Sequence, residues 1–295
     1  MFEDFYLNKK KILKKSHQYF LDTLKRSSDF KSIKIGCELE LYLFDQNNFP
    51  IIDQEKLENF ISAINAKKEQ GISQIEILIN YGEDLEKICE EIDSKKNLIF
   101  DISKKNNLIA NFNCKPINDD CSSSLQYNIS LHDNNDDNIF YYNKKYLKYC
   151  ANSLLKYSNS MVAILCPSEI DYIRFSEKLN FDLFLKGKYT APVNLSLGLD
   201  NRTCAVRIPN SIKSNKSQRL EYRIASSNSD QWLSISCILL VLSKAMIEKE
   251  DLFPIIYGNA FDKQYNLEKI CTNIKIATDN FDNSFIKKKF MEFIL

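Results

Sequence analysis

Glu38 and Glu40 stand two residues apart in GCELELYLF (residues 36–44), and Arg219, Glu221 and Arg223 share that spacing in RLEYR (219–223). In an extended strand, residues two apart point to one face, so each stretch sets a charged row on one side and leucines on the other. Carboxylates in such a row can hold hard divalent cations, and guanidinium forks beside them can hold phosphate or a substrate carboxylate. An ordinary half-buried sheet with a solvated charged face carries the same pattern, so alternation alone leaves both readings open.

Bringing two rows into one cavity requires a common sheet and helices to cover it. Periodicity predicts helices over 55–66, 83–106, 141–156 and 230–248, and further helices toward the C-terminus. Strands are expected at 72–82, 108–114 and 125–133, and in PVNLSLGLD (192–200) and CAVRIPN (204–210), joined as a hairpin at Asp200-Asn201. IKSNKSQ (212–218) reads as a loop leading into RLEYR, and PIIYGNAF (254–261) as a turn-rich connection. With no repeat and no clear linker, strands and helices interleave in one α+β unit. Phe5, Ile12, Leu13, Tyr19, Phe20 and Leu24 form a helical stripe, so residues 1–34 are expected as a helical segment docked on a domain of residues 35–295.

Forty basic residues against 39 acidic ones argue against a global attraction to nucleic acid or acidic membranes. No run reaches the roughly 18 uncharged apolar residues of a membrane span. SISCILLVLSKAM (234–246) reads instead as a buried helix, and the N-terminus lacks the apolar stretch of a signal peptide. Nine cysteines without a CxxC pair, with only His17 and His132 beside them, give little support to a zinc site. Reduced thiols in a cytoplasmic protein are the simpler expectation.

Seven segments resemble, in order, the catalytic domain of the glutamine synthetase family. They are GCELELYLF, EQGISQIEI (69–77), NCKPINDDCSSSLQYNISL (113–131), CPSEIDYIRF (166–175), YTAPVNLSLGLDNRTCAVRIP (189–209), RLEYRIASSNSDQWLSISCILL (219–240), and IYGNAFD (256–262) with the helices ending in FMEFIL. The resemblance implies a curved, mainly antiparallel sheet with surrounding helices. It also implies an ATP-dependent ligase. Glutamate or a similar acid is activated as an acyl phosphate, γ-glutamyl phosphate for glutamate, which ammonia or another amine attacks. Such chemistry depends on positioning and on neutralising phosphate charge.

Carried over by position, Glu40, Glu69 and Glu76 would hold one Mg²⁺ or Mn²⁺, and Glu38, Gln126 and Glu221 a second near the ATP phosphates. Arg202, Arg207 and Arg219 would meet phosphate oxygens, Asn128 would lie near the nucleotide, and Arg174 and Arg223 would clamp the carboxylate substrate. Two alternatives remain at this point: Glu38 and Glu221 pairing with Arg223 and Arg207 across neighbouring strands, and Arg174 as a solvated loop residue.

The departures point the other way. DDCSSS, with Cys121, replaces the family's glycine-rich substrate loop, Gln126 and Asn128 stand where it has histidines, and Thr190 replaces its flap glutamate. A glutamine oxygen is a weaker ligand than imidazole for softer metals, so the second ion is expected to bind less tightly. About thirty residues precede the first motif, where the family has a small β-rich domain that completes a neighbouring subunit's site. A homo-oligomer smaller than the family's rings, or closed differently, is one expectation. A non-catalytic relative that binds nucleotide or a partner protein is the second functional class.

Overall fold

Residues 32–44 alternate apolar and polar side chains over thirteen positions, and they form the longest strand of the chain, β1 (Ser32–Phe44). Ile33, Ile35, Cys37, Leu39, Leu41 and Leu43 enter the core, while Glu38 and Glu40 take the other face. The computed structural model describes residues 2–25, 30–210 and 217–295.

Seven further strands join β1: β2 (Lys67–Lys68), β3 (Gln74–Gly82), β4 (Ile109–Asn111), β5 (Leu125–His132), β6 (Leu197–Leu199), β7 (Val206–Ile208) and β8 (Leu220–Tyr222). Among the described residues they make one open sheet in the order β2-β3-β1-β5-β8-β7-β6, with β4 pairing the end of β1. Every strand pair is antiparallel apart from β6 and β7.

That exception corrects the expected hairpin. Leu197, Gly198 and Leu199 lie beside Val206, Arg207 and Ile208 in parallel register. The Asn-containing turn does form, with Asp200 at φ 46°. Asn201, however, accepts from Thr203 N at 3.0 Å and donates to Gly258 O at 2.7 Å, anchoring the loop to the 256–258 segment. The chain therefore crosses back to the start of β6 instead of folding over on two residues.

The core-facing side of the sheet is covered by helices. α9 (Gln231–Glu248) is apolar nearly all round, as a helix enclosed by others must be, and α2 (Lys9–Lys25) and α6 (Lys144–Lys156) pack along it. It is the one helix among the described residues long and apolar enough to cross a membrane, and its side chains are buried in the core. α1 (Glu3–Leu7) and α2 place Phe5, Ile12, Leu13, Phe20 and Leu24 in the same core as the sheet. α3 (Gln54–Ile64) and α4 (Leu85–Lys105) begin at Asp53 and Asp84, whose carboxylates accept from backbone N–H groups of the first turn. The helix expected over 141–156 is divided into α5 (Ile139–Tyr142) and α6, because Asn143 leaves helical backbone and caps α6 through Lys145 N. α7 (Ser158–Leu165), α8 (Glu177–Leu185), α10 (Ile274–Asp282) and α11 (Phe285–Ile294) complete the chain. Of the expected loop at 212–218, residues 212–216 lie outside the described residues.

Candidate active site

Strand register gathers the charged rows on one face. Glu40 lies directly opposite Glu76 on β3, and Glu38 opposite Gln126 on β5. Asn128 then faces Glu221 on β8, and Glu221 faces Arg207 on β7. Residues brought from five strands thus form one charged surface, bounded by Arg219 and Arg223 at the two ends of β8.

At the β3 side, Glu40, Glu69 and Glu76 offer carboxylate oxygens that all lie within 4.8 Å of one another. The two-residue β2 and the turn after it carry Glu69 there: Glu69 N donates to Gln74 O at 2.9 Å, and Gly71 N to Gln74 Oε1 at 3.1 Å. Glu40 is fixed by Ser124, whose N and Oγ donate to Oε2 at 2.7 and 2.8 Å, and by Gln126 Nε2 at 3.1 Å from Oε1. Burial, and then the neighbouring Glu69, pushes Glu40 up to about 7. Burial with Glu38, Glu40 and Glu69 nearby pushes Glu76 up to about 8. Three crowded carboxylates, with proton affinity raised at Glu40 and Glu76, are short of positive charge, and a hard divalent cation would supply it.

A measurable pH dependence follows. A carboxyl whose folded pKa exceeds its ordinary 4.5 lowers folded-state stability as pH rises through the interval between the two values. In chelator the Tm should therefore decline from about pH 5 to about pH 8, and Mn²⁺ should raise it more at pH 8 than at pH 6. Scanning calorimetry in EDTA and in Mn²⁺ checks this; an Mn²⁺ increment that does not grow with pH would contradict it.

Glu221 is 2% exposed and accepts from Arg223 Nη1 at 2.6 Å and from Arg207 Nη1 at 2.8 Å. Burial opposes its charge, but the two guanidinium groups prevail and hold it below the usual carboxylate range. The cross-strand pairing left open by the sequence thus occurs at Glu221. Glu38 instead accepts from Asn128 Nδ2 at 2.9 Å, and Asn128 Oδ1 in turn accepts from Arg219 Nε at 2.7 Å. Burial and the Glu221 charge raise the Glu38 pKa.

Arg174 is no solvated loop residue. It is 2% exposed, in a 3₁₀ helix (Glu169–Phe175), and its fork donates to the carbonyls of Arg223, Ile224 and Ala225. Its Nε, like that of Arg223, is buried and meets no acceptor. Arg202 is exposed and lies over the Tyr189 ring, 4.2 Å from its centroid.

Several cavities border this surface, one of about 560 Å³ running past Tyr189, Thr190, Asp200 and Arg202. An inner one of about 20 Å³ is lined by Glu40, Glu69, Gln126, Arg174, Arg202 and Arg223. Lys188, paired with Asp120 at 2.6 Å, holds the 187–190 segment over it. A larger cleft of about 460 Å³ runs past Gly36, Glu38, Tyr81, Asn128, Ser130 and Arg219. A side chain at Gly36 would come within 2.9 Å of the Tyr81 Cβ, so glycine permits the approach of β1 to the end of β3.

Four residues of the site, Gln74, Tyr81, Ser124 and Tyr189, are absent from the candidates that the sequence singles out. Gln74 carries a usable signal, since it precedes Glu76 by two residues and so shares its face. The other three depend on packing between segments distant in the chain.

A family model described as glutamine synthetase, catalytic domain, matches residues 55–294. The γ-glutamylputrescine synthetase of Escherichia coli (strain K12) is 25% identical over 217 residues, covering 72% of this chain and 43% of that protein. A glutamine synthetase of Sulfolobus acidocaldarius is 28% identical over 223 residues, covering 70% and 45% respectively. This chain therefore spans less than half the length of these relatives. A solved structure titled as a GmaS/ADP complex superposes with a TM-score of 0.74 at 15% identity, covering 94% of this chain and 71% of that one. The matched span begins after β1, yet β1 pairs in register with β3 and β5 inside it, and on these grounds the chain belongs to the glutamine synthetase family.

Proposed function

We propose that this chain is an ATP-dependent carboxylate-amine ligase. The observation that carries the reading is one pocket lined by Glu40 and Glu69, whose carboxylates converge with that of Glu76, and by Arg174 and Arg223, two buried arginines whose Nε–H groups meet no acceptor. Buried N–H donors without acceptors are costly, and a substrate carboxylate or phosphoryl oxygen would satisfy them. Glu40, Glu69 and Glu76 fit one Mg²⁺ or Mn²⁺, which when bound screens charge on the phosphoryl oxygens. The cleft beside Tyr81, Asn128 and Arg219 takes the nucleotide, with Tyr81 meeting the base and Arg219 the phosphates.

In the first step a carboxylate oxygen of glutamate, or a similar acid, bonds to the γ-phosphorus of ATP as the bond to the ADP oxygen breaks. Arg223 and Arg174 orient that carboxylate, and Arg202 and Arg207 face the phosphoryl group. The amine nitrogen, entering as its free base, then bonds to the acyl carbon, phosphate departs, and the amine's proton passes to water. Thr190 carries no carboxylate to take that proton, which favours an amine that needs little help over ammonium. Within residues 1–34, α1 and α2 act as an added helical layer on a catalytic domain whose sheet takes in β1 from Ser32, the chain self-associates, and nine unpaired thiols, eight of them buried, support a reducing, cytoplasmic setting. The test is ADP release with Mg²⁺, ATP and glutamate against a panel of ammonium, short alkylamines and diamines.

One observation favours the alternative, a nucleotide-binding relative without turnover. The inner cavity holds about one water, so an amino acid enters only if the 187–190 segment moves. Replacing Lys188 by Ala removes its ion pair with Asp120. It should lower the KM for the acid in a ligase and leave ATP binding unchanged in both cases.

A further inference from the structure

Resting on the ligase reading of Glu40, Glu69 and Glu76, the second cation set can be tested against its own donors. Glu38, Gln126 and Glu221 would form it by position, and each is turned toward nitrogen. Gln126 Oε1, the only atom of that side chain able to ligate, accepts from Arg223 Nη1 at 2.7 Å, while its amide nitrogen points to Glu40. The same Arg223 Nη1 donates to Glu221 at 2.6 Å, and Arg207 takes the other Glu221 oxygen. Glu38 holds Asn128.

One guanidinium nitrogen thus bridges the two groups that a shared ion would bridge. Mg²⁺ and Mn²⁺ bind oxygen donors and have no use for an amide or guanidinium nitrogen that keeps its protons, and a divalent charge beside a buried arginine would be repelled. Arg223 is 5% exposed, and displacing it would strip its buried guanidinium of Glu221 and Gln126, its two side-chain acceptors. The donor set does not fit a second ion.

We infer that Arg223 stands in for the nucleotide-side cation, and that this chain binds a single divalent ion, at Glu40, Glu69 and Glu76. Positive charge at the nucleotide end is then supplied by Arg207, Arg219 and Arg223, which no chelator removes.

Anomalous diffraction from crystals of the full chain with Mn²⁺ and a non-hydrolysable ATP analogue reads this directly. One protein-bound peak is expected, among Glu40, Glu69 and Glu76. A peak bonded by Glu38 and Glu221, with Arg223 displaced, overturns the inference. In solution, electron paramagnetic resonance titration should give one Mn²⁺ bound by carboxylates in both wild type and Glu38→Gln; a fall from two to one in that isosteric variant overturns it as well. The parent reading fails separately, through an ion count that Glu40→Gln does not change.

Discussion

Glu40→Gln should weaken Mn²⁺ binding by about 100-fold or more, since it removes a charged ligand from the centre of the cluster, and losses of 10- to 100-fold already follow from perturbing mere outer-shell partners. The folded state should not suffer. Gln keeps an oxygen for Ser124 N and Oγ, and the bond it gives up with Gln126 Nε2 is offset by removal of a buried charge and of the like-charge contact with Glu69 that helps raise the Glu40 pKa. In chelator at pH 8, where the wild-type carboxyl is ionised, the variant should melt no lower than the wild type. Calorimetric titration with Mn²⁺ and thermal melts in EDTA measure the two effects. Unchanged metal affinity would remove Glu40 from the site, and a large drop in Tm would mark it as a structural residue.

Arg174→Ala is expected to lower unfolding free energy by about 1–3 kcal/mol, the range for leaving a buried acceptor without its donor. Its fork donates to three consecutive carbonyls where the chain leaves β8; without it Ala225 O keeps Leu125 N and Ile224 O keeps Cys166 Sγ, while Arg223 O loses its donor. Each buried acceptor left without a donor costs about 1–3 kcal/mol. Arg174→Lys should recover only part of this, because a single ammonium cannot reproduce a planar fork spanning three acceptors. Urea unfolding at constant m-value gives the difference. A loss below about 1 kcal/mol with a raised KM for the acid would make Arg174 a substrate contact alone. Its Nε, which meets no acceptor, leaves room for the substrate contact as an added role.

Those parts of the fold that follow from local geometry are legible in the amino-acid sequence. Side-chain alternation is a property of the strand itself, so the charged rows at Glu38 and Glu40 and at Glu221 and Arg223 can be read directly, as can the apolar helix around Leu239. Cross-strand register is not local. Nothing in the residues states that Glu76 faces Glu40, or that Asn128 faces Glu221; those pairings come from how the strands assemble. The hairpin expected at Asp200-Asn201 shows the same limit, since the turn forms but a side-chain anchor to Gly258 decides where the chain goes next. Gln126 and Arg174 are the instructive residues of the site. Position suggests a metal ligand and a clamp, whereas the bond between Gln126 and Arg223, and the carbonyls beneath Arg174, depend on side-chain conformations that spacing does not encode.

The proposed ligase transfers the γ-phosphoryl of ATP to a carboxylate and passes the acyl group to an amine. Its most direct test is hydroxamate formation from glutamate, ATP and Mg²⁺ with hydroxylamine, a small nucleophile that makes little demand on the amine site. The account predicts hydroxamate and ADP in equal amounts, dependent on glutamate and metal and abolished in Glu40→Gln. A chain that binds a non-hydrolysable ATP analogue yet forms neither hydroxamate nor ADP would contradict it and leave the nucleotide-binding reading in its place.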